Sequence, residues 1–192
     1  MIAFLAIAIA AAPMNSAFSV QSLHRLGECI AHREPKTARE VLAMDFRSNE
    51  YKQKLKAIGT ASSSCIPTNS NLQSAGLLFA GAVAEGLLKT EVKKDELPNR
   101  LAYDPARDLI EARSPTEEMA LCTAFKAPEA TAALLQTDPA TAKEAEAEDS
   151  LASTLRDCLK KDAKIELNRP ALRSMLALAA YRIITTPKGV GH

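Results

Sequence analysis

The chain has 192 residues, 47% of them hydrophobic, with 24 Lys and Arg against 23 Asp and Glu and a formal charge of +1. That balance gives no electrostatic basis for binding nucleic acid or another polyanion, and 4% aromatics with no Trp offers little for stacking on bases or sugars. An Ala- and Leu-rich composition with only 7 Gly favours packed helices over sheet.

Ile2 to Ala12 is an unbroken apolar run followed by Pro13. It is shorter than the ~20 residues that span a bilayer and suits the core of a secretory signal peptide. Ala10, Ala12 and Ala17 offer small residues for cleavage. Residues 1–18 are therefore expected to be a signal peptide, with a buried N-terminal helix or an uncleaved anchor as the alternatives. The mature chain is expected to be periplasmic or secreted, with no integral membrane span.

Val20 to Arg33 reads as a helix, with Val20, Leu23, Leu26 and Ile30 forming one apolar stripe and Pro35 stopping it. Thr37 with Glu40 is a capping box, so a short second helix is expected to start there. Asp45 or Ser48 can cap a third, from about Ser48 to Thr60, with Tyr51, Leu55 and Ile58 inward. The fourth, about Asn71 to Lys89, has no polar side chain from Ala75 to Ala84, and its small residues Gly76, Ala80, Gly81 and Ala84 allow close approach of another helix. A helix apolar all round belongs in a core or a membrane, and Glu85 and its length favour the core.

Residues 90–113 carry Pro98, Pro105 and many charges, and read as a surface connector with a short helix from Asp104 to Ala112. Ser114, Pro115 and Glu117 start a helix to Lys126. Glu129 to Gln136 is the next. Asp138-Pro139 opens a long one to about Leu159, in which Lys143 to Asp149 is expected to be an exposed acidic turn and Leu151 and Leu155 to be buried. Asn168 caps the last, with Leu172, Met175, Leu176, Ala179, Ile183 and Ile184 on its apolar face. Residues 187–192 are a tail.

One offset organises these elements. Cys29, Pro35, Leu42, Asp45 and Cys65 recur 93 residues later as Cys122, Pro128, Leu135, Asp138 and Cys158, and these are the chain's only cysteines. In an oxidising compartment an even count reads as disulfides, and the absence of CxxC spacing argues against zinc. Four cysteines allow three pairings, of which the repeat favours Cys29–Cys65 and Cys122–Cys158. The expected architecture is an all-α bundle of about eight helices, built from two four-helix repeats (19–89 and 114–186), each with an internal disulfide.

Candidate chemistry is sparse. His24, Glu28 and His32 recur every four residues on one helix, a spacing that offers two imidazoles and a carboxylate to a metal, although an exposed polar stripe explains them better. Asp45 and Asp138, with Glu50, are candidate catalytic carboxylates, and the structural alternative is that both aspartates cap helices. No nucleophile elbow, phosphate loop or metalloprotease motif is present, and no cofactor is implied.

The stretches Leu26-Gly27-Glu28-Cys29-Ile30-Ala31 and Ala38-Arg39-Glu40-Val41-Leu42, with Cys65 and Gly76-Leu77-Leu78-Phe79-Ala80-Gly81, resemble small exported helical proteins of Gram-negative, sphingomonad-like bacteria. The resemblance implies a periplasmic location and carries no activity. The function expected from the sequence is that of a non-enzymatic exported scaffold for binding, with an envelope protein or a small apolar ligand as partner. The alternatives are a small periplasmic hydrolase using carboxylates and a binder of an apolar ligand between the central helices.

Overall fold

The computed structural model describes residues 14–61, 65, 76–104, 110–160 and 168–187. Among them are nine α-helices and no strand: α1 (Met14–Arg33), α2 (Pro35–Ala43), α3 (Asn49–Ala61), α4 (Gly76–Glu91), α5 (Leu97–Leu101), α6 (Pro115–Lys126), α7 (Pro128–Leu135), α8 (Ala142–Cys158) and α9 (Arg169–Thr185). No helix among the described residues is long and apolar enough to cross a membrane.

Local chemistry sets the boundaries. Pro35 is the first residue of α2, and Glu34 before it is driven out of the helical region to φ −130°, ψ 49°. Ala127, before Pro128, adopts nearly the same conformation at φ −132°, ψ 61°. The Ser48 hydroxyl accepts the Tyr51 N–H at 3.0 Å to cap α3, and Thr141 accepts the Glu144 N–H at 3.3 Å to cap α8. Glu34 and Ala127, Ser48 and Thr141, and the starts of α3 and α8 are each separated by the same 93 residues as the cysteines.

The central pair is α4 and α9. On α4 every residue from Phe79 to Leu88 is buried, and on α9 every residue from Leu172 to Ala177. Removing side chains such as Leu87, Leu172 and Ile183 from water stabilises the fold by about 1.5–3 kcal/mol each. Helix α1 lies along α4, where a Cβ on Gly27 would stand 2.4 Å from the carbonyl carbon of Ala82. Helix α6 packs on α9, while α2 and α3 pack on each other in the first half, as α7 and α8 do in the second. The disulfides are Cys29–Cys65 and Cys122–Cys158, each with a Cα separation of 5.7 Å and closing 36 residues. No free cysteine remains.

Several elements differ from the sequence-based expectation. Helix α1 is described from Met14, ahead of the expected start at Val20; residues 1–13, with the apolar run of the expected signal peptide, lie outside the described residues. Helix α2 starts two residues before Thr37, because Pro35 supplies a ready first turn. Helix α8 starts at Ala142, since Thr141 rather than Asp138 caps it. The connector is not merely a surface strap: Val92, Leu97 and Leu101 are buried, and α5 packs against α7 and α9. The helix expected from Asp104 to Ala112 is not present at either of its described ends, and residues 105–109 lie outside the described residues. Residues 71–75, expected to begin the fourth helix, and most of the tail also lie outside them. The turn Lys143 to Asp149 is not all exposed, because Glu144 and Glu148 point into the core.

Candidate functional site

Two features are built between the helices: a buried ionic cluster and an apolar cleft. The cluster centres on Arg173, whose side chain is wholly buried on α9. Its guanidinium grips Glu85 of α4 in a two-pronged pair, Nε to Oε2 at 2.8 Å and Nη2 to Oε1 at 2.7 Å. The remaining N–H groups go to Glu144 Oε1 (3.1 Å), the Thr137 hydroxyl (3.0 Å) and the carbonyls of Leu134 and Thr137. All the donor capacity of the fork is used, and the carbonyls at the end of α7 gain a partner.

Lys89 adds a contact to Glu85 at 2.9 Å and reaches Glu28 at 2.6 Å. Burial alone pushes the Glu85 carboxyl up, but Arg173, with His24 and Lys89, outweighs it and holds the group below its ordinary value. The cluster therefore joins α4, α7, α8 and α9 through fixed charges.

His24 faces this cluster from α1. Its Nδ1 lies 3.4 Å from Glu85 Oε2 without hydrogen-bond geometry. Burial pulls its pKa down to about 4, with Arg173 and Lys89 adding to the fall and Glu85 and Glu28 opposing it. The ring is neutral at pH 7. A neighbouring carboxyl behaves in the opposite sense. Glu148 is fully buried, with Oε2 bound to Arg169 at 2.8 Å and Oε1 without a partner among the described residues. Burial raises its pKa to about 7; Arg169 opposes the rise and Glu144 reinforces it.

The cleft, of about 900 Å³, opens on the other side of the central pair. Tyr51, Leu55 and Gly59 of α3 form one wall, Phe79 of α4 the floor, and Met175 and Leu178 of α9 the opposite wall. At Gly59 an added Cβ would meet the Phe79 ring at 3.3 Å, so the absence of a side chain lets α3 settle on that ring. At Gly76 an added Cβ would meet, among the described residues, only Leu55, at 3.8 Å, an ordinary contact. Burial pushes the Tyr51 hydroxyl up to about 12, which keeps it protonated. The rim is cationic: Lys52, Lys56, Arg113 and Arg182 stand against one carboxylate, Glu117, which pairs with Arg182.

The residues singled out from the sequence lie elsewhere. His24, Glu28 and His32 share a helix but not an environment: His24 is buried, Glu28 is tied to Lys89, and His32 is exposed. Among the described residues no three His, Cys, Asp or Glu side chains are placed to hold a metal ion. Asp45 chelates its neighbour Arg47, accepting from the guanidinium at 2.8–3.1 Å and from the backbone N–H at 2.9 Å, and these bonds hold its pKa at about 2. Glu50 pairs with Lys54 one turn along α3 at 3.0 Å. Asp138 offers its carbonyl to the Thr141 hydroxyl at 2.7 Å. Neither aspartate caps a helix, since Ser48 and Thr141 take that role.

Arg173, Glu144, Glu148 and Arg169, and the cationic rim, were not foreseen. A usable signal was present: two arginines four apart in an apolar helix require acids on the facing helix. No protein-family model, curated protein or solved structure matches this chain.

Proposed function

We propose that this protein is an exported helical binding scaffold, made of two diverged copies of one disulfide-clipped four-helix unit, and that its cleft takes an apolar ligand. The observation that carries this reading is the cleft itself. A concavity of about 900 Å³ lined by Leu55, Phe79, Met175 and Leu178 lies in the size range of small-molecule sites, ~300–1,000 Å³.

Duplication is supported by the shared offset of cysteines, prolines, caps and helix starts. Two disulfides favour an oxidising compartment, and the apolar run from Ile2 to Ala12 suits an export signal. The α4–α9 crossing is closed at Gly81 and Ser174, so the ligand site is the cleft to one side of the central helices rather than the crossing. Hydrolysis by Asp45, Glu50 or Asp138 draws no support from their surroundings, because Asp45 and Glu50 are engaged by neighbouring cations and all three lie outside the cleft lining.

Titration with the neutral fluorophore N-phenyl-1-naphthylamine tests the binding function. Saturable enhancement with one site per chain is expected. Fluorescence equal to that in buffer at all protein concentrations contradicts it. Intact mass of protein recovered from the periplasm tests export: loss of the first segment, with four thiols alkylated only after reduction, is expected. A full-length chain with free thiols contradicts it.

A further inference from the structure

Four residues of the cleft have counterparts 93 positions later, and the two sets differ in charge. Ninety-three residues on from Lys52, Leu55, Lys56 and Gly76 stand Ala145, Glu148, Asp149 and Arg169. Arg169 reaches from the first turn of α9 across α8. Its guanidinium donates to the Ala145 carbonyl at 3.2 Å, to Glu148 at 2.8 Å and to Asp149 at 3.2 Å. The second half thus carries its own cation on its own acids.

The corresponding place in the first half is the cleft. Gly76 contributes no side chain, Leu55 replaces an acid, and α3 turns Lys52 and Lys56 to the opening one helical turn apart. Lys54, between them, is paired with Glu50, but neither Lys52 nor Lys56 has a carboxylate partner among the described residues. The Arg113 guanidinium, at the α6 end of the cleft, donates to the Met44 carbonyl and also has no carboxylate partner among them. The cleft therefore combines an apolar lining with rim cations that have no ion-pair partner among the described residues. A molecule complementary to it has an aliphatic body and a negative head.

We infer that the cleft binds a single-chain amphiphile with an anionic head group. The chain lies along Leu55, Phe79, Met175 and Leu178, and the carboxylate or phosphate is held by Lys52 and Lys56. This rests on the cleft being an apolar ligand site, and it adds the ligand's charge and class. Two sources supply that chemistry, a free fatty acid and a lysophospholipid.

The test is displacement of N-phenyl-1-naphthylamine from the full chain by laurate, by lauroyl lysophosphatidate and by neutral 1-dodecanol. At least one anion is expected to displace the dye at a tenfold or lower concentration than dodecanol, with that advantage shrinking between 50 and 500 mM salt. Laurate acting at the lower concentration identifies a fatty-acid site, and lysophosphatidate a lysophospholipid site. The double variant Lys52→Gln, Lys56→Gln alters only exposed side chains. It is expected to keep dye binding and lose the anion preference. Equal displacement by all three compounds, or an unchanged preference in the double variant, overturns the head-group assignment while leaving the apolar site standing. Absence of dye binding overturns both.

Discussion

A Cβ built on Gly81 would lie 2.4 Å from the Cβ of Ser174, and the two residues are separated by the same 93 positions as the cysteines of the two halves. If the halves are diverged copies, as proposed above, equivalent positions of α4 and α9 meet each other, as residues do on the axis of a two-fold contact. The helices cross where one of them has no side chain. Gly81→Ala gains helix propensity but forces the crossing apart. A net loss of about 1–3 kcal/mol is expected, since overpacking outweighs the gain. Urea unfolding followed by circular dichroism measures it; a variant as stable as the parent contradicts so close a crossing.

Arg173 binds Glu85 and Glu144 in the buried core. Replacement by Met fills similar volume but leaves buried Glu144 without a cation and Glu85 with Lys89 alone. A loss of about 3–5 kcal/mol is expected from breaking a buried pair on one side. Adding Glu85→Gln to Arg173→Met should recover part of it. A double variant as unstable as the simple sum of the two single losses argues against the pairing.

Glu148 has a folded pKa of about 7 against an ordinary value near 4.5. Folding therefore favours the protonated acid. Its contribution to stability is complete below pH 4.5 and is lost as the pH rises through 7. The difference in stability between Glu148→Gln and the parent should shift in the variant's favour by up to about 3 kcal/mol between pH 4 and pH 8. A difference independent of pH contradicts a buried, poorly solvated carboxyl facing Arg169, Glu144 and Arg173.

His24 works in the other direction. Its folded pKa of about 4 lies below the ordinary 6.5, so its contribution is complete above pH 6.5 and is lost as the pH falls through 4. In proton NMR its ring resonances should hold steady from pH 8 to about 5.5 and move only near pH 4. A midpoint near 6.5 means that the ring is not sealed against Glu85 and Arg173.

Each disulfide closes 36 residues, and loss of such a clip raises the entropy of the unfolded chain by about 4 kcal/mol equivalent. Cys122→Ser with Cys158→Ser should lower the urea midpoint accordingly. An unchanged midpoint means that α6 and α8 are held together by packing alone.

Sequence chemistry was legible where it acts locally. Serine at 48 and 114 and asparagine at 168 mark helix starts, and proline at 35 and 128 marks helix ends, because their effect depends on adjacent backbone; that the same prolines open the next helices was not read. The disulfide pairing followed from the offset. Glu85 in an apolar helix already pointed to the core. Glu144 and Glu148 did not, because an acidic, Ala-rich stretch has the pattern of an exposed helix, and their partners Arg169 and Arg173 come more than 20 residues later. Aligning the halves shows the exchange directly: Tyr51, Leu55 and Gly76 stand where Glu144, Glu148 and Arg169 stand in the other half. What no alignment of the halves contains is the space left between α3 and α9, which depends on how far apart the helices settle.

The most direct test of the central claim is to fill the cleft from its floor. Among the described residues a Cβ added at Gly76 has Leu55 as its nearest neighbour, at 3.8 Å. Gly76→Trp should therefore keep the helical circular dichroism and the cooperative unfolding of the parent. N-phenyl-1-naphthylamine affinity, measured by fluorescence titration, is expected to fall at least tenfold in this variant. Unchanged affinity in a folded Gly76→Trp protein would mean that the cleft is not the binding site.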